Sequence, residues 1–147
     1  MVDKVSKEVR SKMMAAVKGR DTGPEKLVRS MLFREGFRYR LHRRDLPGTP
    51  DIVLPRYRMI VFVHGCFWHG HDCPKGRQRP KTRPEFWNIK LDGNIARDRA
   101  SQAALTAKGW KVFTVWTCQT EDDTRRVLAY LRSRRKRRRL SIHAPLN

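Results

Sequence analysis

Met59-Ile-Val-Phe-Val63 is an apolar run without polar alternation, closed on one side by Pro55-Arg-Tyr-Arg58 and on the other by His64-Gly65. A run this short reads as a strand buried on both faces, which requires a sheet covered on both sides. Just before it stands Asp51-Ile-Val-Leu54, a shorter apolar strand that begins with an acid. The turn between the two makes them an antiparallel hairpin, so the sheet is mixed rather than wholly parallel. Other elements follow from periodicity. Val9, Met13, Met14 and Val17 mark a helix over about Ser6 to Lys18. Thr22-x-x-Glu25 has the form of a capping box with Pro24 at the start of a second helix, whose apolar face is Leu27, Val28, Met31 and Leu32. Phe37 to Leu41 alternates as a half-buried strand, and Pro74 to Pro84 reads as a loop. Glu85 to about Lys108 is a long helix with a weak point at Asp92-Gly93, Lys111 to Trp116 a strand, and Glu121 to about Arg134 a last helix. The order α-α-β-β-β-α-β-α predicts an α/β fold.

Charge sets the partner. Lys and Arg number 34 against 14 Asp and Glu, a net charge of +20 over 147 residues. Such a chain favours a polyanion: nucleic acid first, an anionic membrane surface second. Seven of the positive charges lie in Arg132 to Arg139 with no acid among them. The expected organisation is one domain over 1–131 and a flexible basic tail over 132–147, able to hold phosphates without sequence choice. The body remains strongly basic without the tail. No apolar run approaches a membrane span, and the start lacks a signal-peptide core, so the expected location is the cytoplasm, with no membrane partner. Three cysteines in a reducing compartment suggest free thiols or metal thiolates rather than disulfides.

His64-Gly-Cys66-Phe-Trp-His69-Gly-His71-Asp-Cys73 concentrates two cysteines and three histidines. A structural zinc site takes four thiolate or imidazole ligands in a tetrahedron. Cys66, His71 and Cys73 can supply three from one loop, and Cys118, just after the strand ending at Trp116, the fourth. Four protein ligands would close the site to water and staple the loop to the last strand. The competing reading is that Cys66 and Cys118 are ordinary buried cysteines. His64 and His69 are then left beside a strand end, where an imidazole can accept a proton near neutrality. Asp51, at a strand start on a basic surface, suits magnesium, although the dipeptide alone equally suits a turn. Phe67 and Trp68 read as core packing or as a wedge between bases.

Arg20-Asp-Thr-x-Pro-Glu25, Leu46-Pro-Gly-x-Pro-Asp51, Phe62-x-His-Gly-Cys-Phe-Trp-His-x-His71 and Arg83-x-Glu-Phe-Trp87 closely resemble the very short patch repair (Vsr) DNA mismatch endonucleases, in the family's order, from about residue 6 to residue 130. The resemblance implies a restriction-endonuclease-like, PD-(D/E)xK-type core: a mixed sheet between helices, with a structural zinc site. It implies a magnesium-dependent enzyme that nicks one DNA strand 5′ of the thymine in a T·G mismatch, the product of 5-methylcytosine deamination. Carried onto this chain, Asp51 and the backbone carbonyl of Val63 are implied as magnesium ligands. Val63 stands where the family pattern has threonine, a change that a backbone contact tolerates. His69 is implied as the general base, with Glu25, His64 and Asp98 ordering the waters around the metal. Cys66, His71, Cys73 and Cys118 are implied as zinc ligands. Most nucleases of this core carry an acid and a lysine on the next strand, where Ile60-Val-Phe-Val63 offers neither; a histidine base is consistent with that gap. Phe67, Trp68 and Trp87 are implied as the wedge at the mismatch, with Lys75, Arg77, Arg79, Lys81 and Arg83 holding phosphates nearby. The tail is more basic than the match requires.

Two other readings compete: a related nuclease of the same core with other DNA specificity, and a zinc-stapled DNA-binding protein without enzymatic activity. Together Asp51, His69, Glu25 and Asp98 argue against the second. The expected assembly is a monomer on duplex DNA, with mismatch-repair proteins as further candidate partners.

Overall fold

The computed structural model describes residues 21–142. The helix expected over Ser6 to Lys18 lies outside the described residues. The chain runs α1 (Gly23–Arg34), β1 (Arg40–Leu41), β2 (Ile52–Leu54), β3 (Met59–His64), the short helices α2 (Cys66–His69) and α3 (Pro74–Arg77), then α4 (Pro84–Ala107), β4 (Lys111–Trp116) and α5 (Thr120–Ile142). Four strands form one sheet in the order β1-β2-β3-β4. β1 and β3 flank β2 antiparallel, and β4 joins β3 in parallel with Val63 opposite Val115 and His64 opposite Trp116. The sheet is mixed, as the hairpin predicts.

Strand alternation divides the core in two. Ile52, Leu54, Met59 and Val61 face one side, where Val28 and Leu32 of α1 and Val127, Leu128 and Leu131 of α5 cover them. Val53, Ile60 and Phe62 face the other side, against Leu105 of α4. The uninterrupted apolar run of β3 is therefore required: each of its two side-chain sets has a helix layer above it.

Several elements differ from expectation. The strand near Phe37 shortens to Arg40–Leu41, because Phe37 is withdrawn into the α1–α5 core. Pro74–Arg77 is helical rather than loop: Pro74 fits the first helical position and the Cys73 sulfur accepts a hydrogen bond from Gly76 N at 3.3 Å. Asp92-Gly93 does not interrupt α4, which runs 24 residues. α5 continues past Arg134 to Ile142, crossing residues 131 and 132 without a break. Arginine is a good helix former, and the tail arginines find anchors on the body described below. Among the described residues no helix is long and apolar enough to cross a membrane.

Ile60 is fully buried between β3's neighbours and α4. Ile60→Ala is expected to cost about 2–5 kcal/mol, read as a lower midpoint in urea unfolding without a changed slope.

Candidate active site

The capping box that opens α1 places the first acid. Thr22 Oγ1 accepts from Glu25 N at 3.3 Å, and Glu25 Oε2 reaches back to accept from Asp21 N at 3.0 Å, one residue beyond the usual return partner. Glu25 is buried, and its Oε2 also accepts from Arg29 Nη2 at 3.0 Å and lies 3.1 Å from His42 Nε2. Arg29 and His42 were not legible as site residues. Arg29 sits one helical turn after Glu25, a spacing the sequence does carry. His42 arrives through tertiary pairing, since its backbone N–H donates to the Asp51 carbonyl at 3.2 Å where β1 meets β2.

Asp51 precedes β2, and its Oδ2 accepts from Val63 N at 2.7 Å. Burial pushes its carboxyl up to about 6, against the Val63 N–H bond, with the Glu25 charge adding to the rise. A carboxylate held this way is unfavourable alone and is stabilised by a cation, which is the chemistry a magnesium ligand needs.

At the end of β3, His64 is buried with its ring stacked on His69 at 3.8 Å and 4°. Burial, with the neighbouring His69, pulls His64 down to about 3, so it stays neutral. Asp98 Oδ2, from α4, lies 2.6 Å from His69 Nδ1. A carboxylate can only accept here, so Nδ1 carries the hydrogen and Nε2 keeps its lone pair as a proton acceptor. Gly70 turns the chain after His69 with φ +64°, and a Cβ there would stand 2.4 Å from Ile95 Cδ1, so the turn against α4 requires glycine. Glu25, Asp51, Val63, His64, His69 and Asp98 all line one cleft of about 800 Å³.

The cysteines gather beside it. The ligand atoms of Cys66, His71, Cys73 and Cys118 lie within 4.8 Å of one another. His71 Nδ1 is 3.6 Å from Cys66 Sγ and 3.4 Å from Cys118 Sγ. The edge of a tetrahedron with zinc's bond lengths is about 3.6 Å, so the set has the size zinc needs. Burial raises the Cys66 thiol, but hydrogen bonds from Thr117, Cys118 and His71 outweigh it and bring it to about 7. Gly76 is buried beneath the loop, where a Cβ would meet His71 O at 2.0 Å. Asp123, another residue the sequence did not single out, holds the turn bearing Cys118: it accepts from Trp116 N at 2.9 Å and Gln119 Nε2 at 2.8 Å.

Phe67, Trp68 and Trp87 form one aromatic cluster, with centroids 5.1 to 5.9 Å apart, joined by the half-exposed Phe86. Trp68 also lines the cleft. Lys75, Arg77, Arg79, Lys81 and Arg83 are exposed. Arg77 is paired with Asp72 at 2.9 Å and Arg79 with Asp92 at 2.9 Å, so the charge of these two is partly met within the chain.

A buried acid, a histidine oriented by a carboxylate and an open cleft on a strongly basic body are parts that a hydrolytic site for a polyanionic substrate requires. Sequence comparison identifies the class further. Residues 2–75 match the family described as DNA mismatch endonuclease Vsr. The chain is 53% identical over 122 residues to "Type II nicking enzyme V.XorIIP" of Xanthomonas oryzae pv. oryzae, covering 83% of this chain and 89% of that one. It is 43% identical over 122 residues to "Type II nicking enzyme V.NmeAIP" of Neisseria meningitidis, covering 83% and 86%. It is 44% identical over 118 residues to "DNA mismatch endonuclease Vsr" of Escherichia coli K12, covering 80% and 75%. The chain belongs to the Vsr family of DNA endonucleases. It is a DNA-binding hydrolase of a family that serves DNA repair and depends on divalent metal.

The Asp51 shift has a sign that can be tested. A raised folded value favours the protonated acid, so this contribution to stability is present below about pH 4 and lost as pH rises through about 6. In magnesium-free protein at neutral pH, Asp51→Asn is expected to stabilise the fold by about 2–3 kcal/mol, read as a higher melting temperature. The gain should vanish below about pH 4. His64 acts oppositely: its contribution is present above about pH 6.5 and lost as pH falls towards 3.

Proposed function

We propose that the chain nicks one strand of duplex DNA on the 5′ side of the thymine in a T·G mismatch, opening very short patch repair of deaminated 5-methylcytosine. The observation that carries the chemistry is the 2.6 Å His69–Asp98 pair in the same cleft as Asp51. The family, and the mismatch endonuclease at 44% identity, support the substrate. The core is read as restriction-endonuclease-like, with the Asp51 strand and β3 as its catalytic hairpin. Asp51 and the Val63 carbonyl hold magnesium, which when bound supplies charge neutralisation at the phosphate and the leaving oxygen.

The chain's own groups divide the rest of the work. His69 Nε2 takes the proton of the attacking water, and Asp98 fixes the tautomer that makes this possible. His64, neutral and stacked on His69, fixes the ring plane without adding charge. Glu25, steadied by Arg29 and His42, orders water in the cleft beside Asp51. Phe67, Trp68 and Trp87 enter the duplex at the mismatch, where unstacking costs least. Lys75, Arg77, Arg79, Lys81 and Arg83 hold the flanking phosphates. Zinc on Cys66, His71, Cys73 and Cys118 is structural and closed to water.

A second reading, the same chemistry with another DNA specificity, is favoured by one observation: relatives at 53% and 43% identity are named Type II nicking enzymes. Nicking of a labelled duplex with magnesium separates the two. The expected result is a cut only beside the mismatched thymine, reduced at least about 100-fold in Asp51→Ala and His69→Ala. Equal cutting of the matched duplex would establish the second reading, and binding without cutting would overturn both.

The zinc proposal has its own readout. Metal analysis of the purified protein is expected to give one zinc per chain, lost in Cys66→Ser and in Cys118→Ser. Gly76→Ala, which removes no ligand side chain, should lower zinc content as well by displacing the His71 backbone and with it the Gly76 N–H that bonds the Cys73 sulfur. Full thermal stability without bound zinc would remove the structural role.

A further inference from the structure

The cleft lies at one end of the sheet, where β2 begins and where β3 and β4 finish. At the other end, segments 33–40, 54–60, 105–113 and 127–142 meet, and they hold fourteen Lys and Arg against one acid, Glu35. Several of these cations are held by aromatic planes and backbone carbonyls. Arg135 donates to the Glu35 carbonyl at 2.8 Å and lies 4.4 Å over Phe37. Arg138 donates to the Arg56 carbonyl at 2.7 Å and stands over Tyr57. Arg58 lies 4.5 Å over Trp110 and donates to the Lys108 carbonyl at 2.8 Å. Lys111 and Arg134 share the ring of Tyr130. Arg132 is paired with the Glu35 carboxylate.

Rings and carbonyls hold a cation in place without cancelling its charge. With fourteen cations against one acid, the result is a strongly positive array with several of its charges positioned, the arrangement that phosphate backbones recognise. The array is separated from Val63 and His64 by the length of β3, about 20 Å. We propose that this end of the molecule is a second duplex-binding surface, holding a DNA segment other than the one in the cleft, so that one chain can bridge two duplexes. An anionic membrane is the weaker partner. The exposed large hydrophobes here, Phe33 and Leu140, lie on different helices and make no continuous face to insert.

The test uses the full chain with magnesium omitted, so it does not depend on nicking or on mismatch specificity. Two short matched duplexes, one carrying a donor dye and one an acceptor, are mixed with the protein. Energy transfer is expected, with sedimentation giving one chain and two duplexes per complex. Arg134→Gln/Lys136→Gln/Arg137→Gln, all exposed positions, should abolish the transfer at unchanged melting temperature. It should also flatten the log–log salt dependence of DNA binding by about 2–3. Arg134→Lys/Arg137→Lys should retain both. No transfer with the unaltered chain, transfer that survives the triple substitution, complexes holding two chains, or binding to phosphatidylglycerol vesicles in preference to the second duplex would each overturn the proposal.

Discussion

The hydrogen bond from Val63 N to Asp51 Oδ2 is the joint on which the site hangs. β2 begins at Ile52, opposite Val61, so beyond that pair β3 has no strand backbone beside it on this edge. The Asp51 side chain takes the next N–H in place of a carbonyl. The ladder thus ends in a carboxylate, and the acid is held in register with the strand that delivers His64. The same bond partly offsets the desolvation that lifts the Asp51 carboxyl. A site of this kind is ordered before substrate arrives, at a standing cost to stability.

Electrostatics within the cleft are arranged by opposed shifts. Burial drives Asp51 towards its protonated form, with the Arg29 and His42 charges only partly opposing it, and His64 towards its neutral one. Glu25 is treated differently: Arg29 and His42 surround its Oε2, and a buried acid is tolerated because its partners are built in. The two carboxylates are therefore not equivalent. One is already satisfied by the chain, and the other is left needing a cation.

Much of this was legible in the residues because it is local. The apolar run of β3, the Thr22–Glu25 cap and the Cys/His loop each carry their physics within ten residues. The covered sheet and the gathering of Cys66, His71 and Cys73 follow from them. Cys118 was legible because every cysteine could be accounted for. His42 and Asp123 were not, since each acts through a contact made only when distant strands pair or a helix docks. The reach of α5 was missed for the same reason. A run of arginines reads as a solvated arm until Phe37, Tyr57 and two carbonyls are found beneath it.

Four rings connect the two halves of the site. His69 stacks on His64, His64 meets the edge of Trp116 at 5.5 Å, and Trp116 stacks on His71 at 4.2 Å. The proposed base is thus in mechanical series with the proposed zinc ligand. A chelator acting on such an enzyme would have two separate clocks. Loss of a weakly held catalytic ion would stop turnover at once and be repaired at once by adding it back. Slow extraction of the thiolate-bound ion would slacken the ring stack, and activity lost by that route would return only as fast as the loop refolds.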